Sequence, residues 1–259
     1  MTASRDRRFT QIGIDRLVRL MWLDKTASLC LADNDAEAIG AILKTDLKDH
    51  FQTEESTVRG SIDKSITVLL KVWVRVPSEL QPLRSGGLDL LKRLPRRDHV
   101  AVHWGMIMAV YPFWASVASQ VGRLLRLQGS VAAAHVQRRV REQYGERETV
   151  SRRVRYVLRS YVDWGLLNET EAKGGYSAGL SLSVEDLRLI AWLVEASLHA
   201  RHGATALLKD LTDSPSLFPF RLKPIHAEKL LVTCPRIDLL RHGFNEELVV
   251  LRQQPMKGH

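Results

Sequence analysis

Apolar residues recur at helical spacing along most of the chain, and the first third carries three such stretches. Leu17, Val18, Leu20 and Met21 predict a short helix over Asp15–Trp22. Ala38, Ile39, Ile42, Leu43 and Leu47 predict a second, with Asp33 or Asn34 as its cap. A third is expected from Thr53–Glu54 through Val58, Ile62, Ile66, Leu69 and Leu70 toward Val76. Pro77 and Pro82 then stop it, and Ser85–Gly86–Gly87 reads as a turn. The most apolar segment, Val100–Val121, contains Ile107, Met108, Val110, Phe113 and Trp114. It also holds His103, Gly105, Pro112, Ser116, Ser119 and Gln120, whose polar groups or backbone breaks are costly in hydrocarbon. A buried helix pair broken near Pro112 is therefore expected, not a membrane span.

The pattern changes after Ser130. Ala133, Val136 and Val140 place Val131–Tyr144 on a helix ended by Gly145, and Glu146–Thr149 forms a turn. Thr149 is positioned to cap a helix over Val150–Trp164, closed by Gly165 where a left-handed residue is wanted. Leu166 and Leu167 begin a strand, Lys173–Gly174–Gly175–Tyr176 turns, and Leu180 and Leu182 alternate with Ser181 and Ser183 as the return strand. Helix, helix, turn, helix and a glycine-tipped hairpin is the order of a winged helix-turn-helix. Beyond Val184, Leu187, Leu189, Ile190, Leu193, Val194 and Leu198 predict a helix running to Gly203, with a shorter one over Ala204–Leu211. Four prolines make the next stretch irregular. Ile237–Leu240 and Leu248–Leu251, separated by His242–Gly243–Phe244–Asn245, are expected to pair as a terminal hairpin. The fold class is mainly α, in three modules. Residues 1–94 are a helical amino-terminal module, 95–183 the winged helix-turn-helix with its short β-hairpin wing, and 184–259 a module of helix plus short strand.

Composition narrows the function. The 259 residues are 45% hydrophobic and 26% charged, the balance of a globular chain rather than a disordered, collagenous or polytopic membrane one. Lys and Arg number 38 against 29 Asp and Glu, for a net charge of +9. Charge of this size implies an anionic partner only if it is clustered. It is: from Arg123 to Arg159 there are ten arginines and three glutamates, so +7 of the +9 lies in this one segment.

The cluster is also sorted by face. At about 100° per residue, Val150, Val154, Val157, Leu158 and Tyr161 fall on one side of their helix. Arg152, Arg155, Tyr156 and Arg159 fall on the other, with Arg153 and Ser160 between. Arginine offers planar two-point contact to phosphate and to the major-groove edge of guanine. Arg152, Arg155 and Arg159 are therefore expected in the major groove of duplex DNA, with Arg153 and Tyr156 at its edge. Arg138, Arg139, Arg141 and Lys173 are expected on phosphates. The rival from another class is a protein-interaction subunit whose basic face grips an acidic partner.

Other signals point to little chemistry. Cys30 and Cys234 stand alone, without the spacing of a disulfide framework or zinc site, and fit a reducing cytoplasm. The opening residues, with Arg5, Arg7 and Arg8, lack the apolar core of a signal peptide. His99 and His103 share a helix face, but no glutamate of an HExxH metal site lies between them. No Walker-type loop or GxSxG elbow occurs, and the six tryptophans read as core. No enzyme activity, cofactor or metal is expected.

At Glu148–Leu167, ETVSRRVRYVLRSYVDWGLL, the sequence resembles the recognition helix and first wing strand of winged-helix DNA-binding proteins. As a helical protein with an arginine-rich winged helix it also resembles the DNA-binding accessory proteins of bacterial BREX-type phage-defence systems. That resemblance implies a role beside larger enzymes, with transcription regulation as the other process such a module serves.

Overall fold

In the computed structural model, which describes residues 8–48, 55–242 and 246–252, the first helix begins later than its apolar pattern suggested. Residues 11–19 run as a non-helical strap, and helix α1 spans Leu20–Leu31. The reason is tertiary. The Val18 amide donates to Ser160 Oγ at 2.9 Å, and the Val18 carbonyl accepts from Trp164 Nε1 at 2.9 Å. Backbone groups that a helix would have used are satisfied by distant side chains instead.

Helix α2, Ala36–Lys48, is capped by Asp35, whose Oδ1 accepts from the Glu37 and Ala38 amides at 2.9 and 2.8 Å. Neither Asp33 nor Asn34 caps it: Asp33 takes a left-handed φ of 56°, and the Asn34 side chain donates back to the Leu29 carbonyl. Helix α3 covers Glu55–Trp73, and its expected start at Thr53–Glu54 lies outside the described residues. After a short 3-10 turn at Ser78–Leu80, α4 runs over Gln81–Arg93 with Pro82 in its first turn, where a missing N–H costs nothing. It passes straight through Ser85–Gly86–Gly87, the expected turn. A Cβ at Gly87 would lie 3.0 Å from Trp192 and 3.2 Å from Trp73. The glycine there permits close packing against two indoles, and does not mark a turn.

Helices α5, Arg96–Val110, and α6, Pro112–Gln128, meet at 117° across Tyr111–Pro112, the break expected from the sequence. Every residue from Val100 to Val110 is buried. No single described helix is long and apolar enough to cross a membrane. Trp104 of α5 lies within 6.0 Å, ring centre to ring centre, of Trp114, Tyr161, Trp164, Phe218 and Phe220. All six tryptophans are buried, and one hydrophobic cluster runs from Ile12 to Phe220.

Next come strand β1, Ser130–Ala132, helix α7, Ala133–Tyr144, and helix α8, Glu148–Asp163. Strands β2, Leu167–Glu169, and β3, Gly175–Ala178, follow. Three antiparallel strands form a sheet in the order β1-β3-β2, with Ser130 opposite Ser177 and Leu167 opposite Ala178. Two expectations are corrected here. Val131 and Ala132 belong to a strand with Ser130, not to the start of α7, because β3 offers them an edge to pair with. The return strand is Gly175–Ala178, not Leu180–Ser183: β4, Leu182–Val184, pairs elsewhere, parallel to a strand at Phe220–Leu222. Thr149 does not cap α8, whose N-cap is Arg147 without a side-chain hydrogen bond. Gly165, at φ 71°, does close it in the left-handed region.

The remainder packs on α9, Leu187–His199, capped by Asp186. The expected helix over Ala204–Leu211 is instead a strand, β5 at Thr205–Leu207, followed by α10, Leu208–Thr212. A 3-10 turn at Pro215–Leu217, β6 at Phe220–Leu222 and α11 at Ala227–Thr233 lead to β7, Ile237–His242, and β8, Glu246–Leu251. These last two form the expected hairpin, with Ile237 opposite Leu251 and Leu240 opposite Leu248. Its tip at 243–245 lies outside the described residues. A second, smaller core under this hairpin includes Leu198, Leu211, Leu230 and Val249. The protein is mainly helical, with small sheets.

Candidate nucleic-acid interface

Helix α8 is amphipathic by sequence, and the structure sorts it the same way. Val150, Val154, Val157, Leu158 and Tyr161 are fully buried, and the Tyr161 hydroxyl donates to the Trp114 carbonyl at 2.9 Å. Arg152, Arg155 and Arg159 are exposed, and Arg153 and Tyr156 are half-buried beside them. Ser160, placed between the faces by spacing alone, is fully buried. Its hydroxyl donates to the Tyr156 carbonyl at 2.9 Å while accepting from Val18.

The exposed guanidinium groups differ in how far they are neutralised. Arg155 lies 3.4 Å from Glu148 two turns away, with both side chains mostly in solvent. Such a pair is weak and easily exchanged for another anion. Among the described residues no carboxylate lies within ion-pair distance of Arg152, Arg153 or Arg159. Burial, helped by Glu169, pushes the Tyr176 phenol above its ordinary range, with Arg159 opposing. Helix α8 also packs against β2 of the three-stranded sheet.

Helix α7 buries Val136, Val140 and Tyr144 and leaves Arg138 and Arg139 exposed. Arg139 pairs with Glu142 and Arg141 with Glu146, each at 3.2 Å. Lys173 is exposed in the turn between β2 and β3. The next residue in that turn, Gly174, accepts from the Ala133 amide at 2.8 Å, fixing the turn to the start of α7. No hydrogen bond or ion pair among the described residues joins Lys173 to the α8 arginines.

One neighbour escaped sequence reasoning. The Arg16 guanidinium on the strap sits 6.0 Å from the Tyr156 ring centre, in range for a cation–π contact. Arg19 pairs with Asp163 at 3.1 Å, pinning the strap to the end of α8. The apolar spacing of Leu17, Val18, Leu20 and Met21 read as a helix, so the pattern gave no sign that an extended strap would carry Arg16 to Tyr156.

His99 and His103 do share a face of α5, and both face Asp24 of α1. Trp73 Nε1 donates to His103 Nδ1 at 3.2 Å, which leaves the His103 proton on Nε2, 3.5 Å from Asp24. The neighbouring imidazole of His103, 3.5 Å away, and that of His99 hold the Asp24 carboxyl down at about 2, against the cost of burial. Burial keeps His103 below its ordinary value. A cleft of about 600 Å³ opens here among Leu20, Met21, Trp164 and Leu180, with no serine, threonine or cysteine in its lining. No group of three or more His, Cys, Asp and Glu side chains among the described residues could hold a metal ion.

The chain matches no protein-family model, no curated protein and no solved structure.

Proposed function

We propose that residues 112–178 form a winged helix-turn-helix and that the protein binds duplex DNA without catalysing a reaction on it. The observation carrying this reading is α8, a helix with one face sealed in the core and the other presenting Arg152, Arg155 and Arg159. The order α6, β1, α7, α8, β2, β3, with its three-stranded antiparallel sheet, supports it. In this reading α8 enters the major groove, where its arginines meet guanine edges, with Arg153 and Tyr156 at the groove's margin. Arg138, Arg139 and Arg141 of α7, and Lys173 at the wing tip, hold phosphates. The resemblance to phage-defence accessory proteins extends the proposal to a role beside larger enzymes. A chromosomal neighbour encoding a methyltransferase or large ATPase favours that role, and an isolated gene favours transcription regulation.

The test is affinity against salt. Neutralising about six phosphates gives a slope of log K against log salt near −5, from roughly 0.9 per contact. Titration with labelled duplex at several salt concentrations measures it. Absence of binding at about 50 mM salt overturns the reading in favour of an acidic protein partner for the same face.

A further inference from the structure

Away from α8, a cleft of about 380 Å³ lies between α6, the end of α7 and the loops flanking α10. That is within the size range of small-molecule sites. Its lining contains Arg123 and Arg201 and no Asp or Glu. Asp213, the nearest carboxylate in sequence, is engaged by Arg126 at 3.1 Å. Arg201 is held in place, donating to the Asp210 carbonyl at 2.8 Å and reaching Ser214 Oγ at 3.5 Å. Arg123 is exposed, and no carboxylate among the described residues pairs with it.

The rest of the wall is rich in neutral hydrogen-bonding groups, Ser119, Gln120 and Gln143 among them. Two hydroxyl pairs are already formed, Ser116 with Tyr144 at 3.0 Å and Ser214 with Ser216 at 2.8 Å. Ser197 differs. It is 2% exposed, lines the cleft, and its hydroxyl has no hydrogen-bond partner among the described residues. A serine inside a helix commonly turns its hydroxyl onto the carbonyl four residues back. A buried hydroxyl that does not is unfavourable unless something else meets it.

We infer that this cleft binds a small phosphorylated, hydroxyl-bearing metabolite, a sugar phosphate or a nucleoside monophosphate, with its phosphate on Arg123. Arginine suits phosphate through paired N–H donors. Amides and hydroxyls suit the sugar, and the absence of carboxylates from the wall removes repulsion against the anion. None of its lining residues belongs to the proposed DNA-contacting set, so the site stands or falls separately from the DNA-binding reading.

Calorimetric titration of the full chain with ribose 5-phosphate, AMP, inorganic phosphate and adenosine tests it. The expected result is that ribose 5-phosphate or AMP binds more tightly than inorganic phosphate or adenosine. The tighter of the two identifies the source as sugar phosphate or nucleotide. Arg123→Ala should weaken that binding at least tenfold with an unchanged melting temperature, and Ser197→Ala should weaken it less. Arg155→Ala, on α8 and outside the cleft's lining, should leave it unaltered. No binding of either phosphorylated probe at millimolar concentration overturns the inference. So does equal loss from Arg123→Ala and Arg155→Ala, which would move the phosphate onto α8.

Discussion

The backbone amide of Val18 donates to the buried hydroxyl of Ser160, and that hydroxyl in turn donates to the Tyr156 carbonyl. One side chain thus ties the amino-terminal strap to the helix that presents the arginines. Removing it in Ser160→Ala leaves a buried amide without a partner, at a cost of about 1–3 kcal/mol. Chemical denaturation of the variant measures this. A stability loss below about 0.5 kcal/mol, the range of a surface change, would mean that the strap is held by other contacts.

The two faces of α8 should respond oppositely to truncation. Leu158 is fully buried, so Leu158→Ala is expected to destabilise by about 2–5 kcal/mol through lost burial and a residual cavity. Arg155→Ala loses only an exposed pair with Glu148, worth about 0–1 kcal/mol. Melting curves of the two variants side by side decide it. Equal destabilisation would show that Arg155 has a packing role its exposure does not reveal.

The faces of α8 were legible because burial follows a period of 3.6 residues, and five apolar residues keep it without interruption. The break at Pro112, the glycine closing α8 and the terminal hairpin were legible for similarly local reasons. What sequence hid was set by contacts between distant segments. Val131 and Ala132 read as helix because their strand character depends on β3, more than forty residues on. Gly86 and Gly87 read as a turn because the indoles of Trp73 and Trp192 that require them lie elsewhere in the chain. The strap carrying Arg16 read as helix until Ser160 and Trp164 took its hydrogen bonds. Asp24 carried no signal, since its meaning comes from His99 and His103 some eighty residues later.

That Asp24–His103 contact makes stability depend on acid. Burial pushes the His103 imidazole below its ordinary 6.5 in the native chain, with Asp24 opposing. The unfolded chain gains a proton below about pH 6.5 that the native chain refuses, so stability falls as pH drops from there. Asp24 is held at about 2, so the unfolded chain again binds more protons between 3.8 and 2, and a second loss follows. His103→Gln can still accept from Trp73 and has no charge to gain. Urea midpoints at pH 7.5 and 5 should therefore fall less for this variant than for the parent. An equal fall would place the acid sensitivity in other groups.

Base reading and backbone holding should separate within the basic segment. Arg152, Arg155 and Arg159 recur at spacings of three and four, lining one strip of α8 about 10 Å long at 1.5 Å per residue. That strip spans some three base pairs at about 3.4 Å each. Arg138 and Arg141 belong to α7, the helix that crosses the backbone in the proposed docking geometry. Losing Arg152 or Arg159, neither paired to a carboxylate among the described residues, should cost about 1–3 kcal/mol on a preferred site and much less on random duplex. Losing Arg138 should weaken both alike and make the salt slope shallower by about one unit. Arg141, paired with Glu146, should have the smaller effect of the two α7 residues, because that carboxylate must first be displaced. Rounds of enrichment on random duplexes would supply the preferred site. If no sequence is enriched and all of these arginines behave alike, the protein holds DNA through charge and shape, and α8 reads no bases.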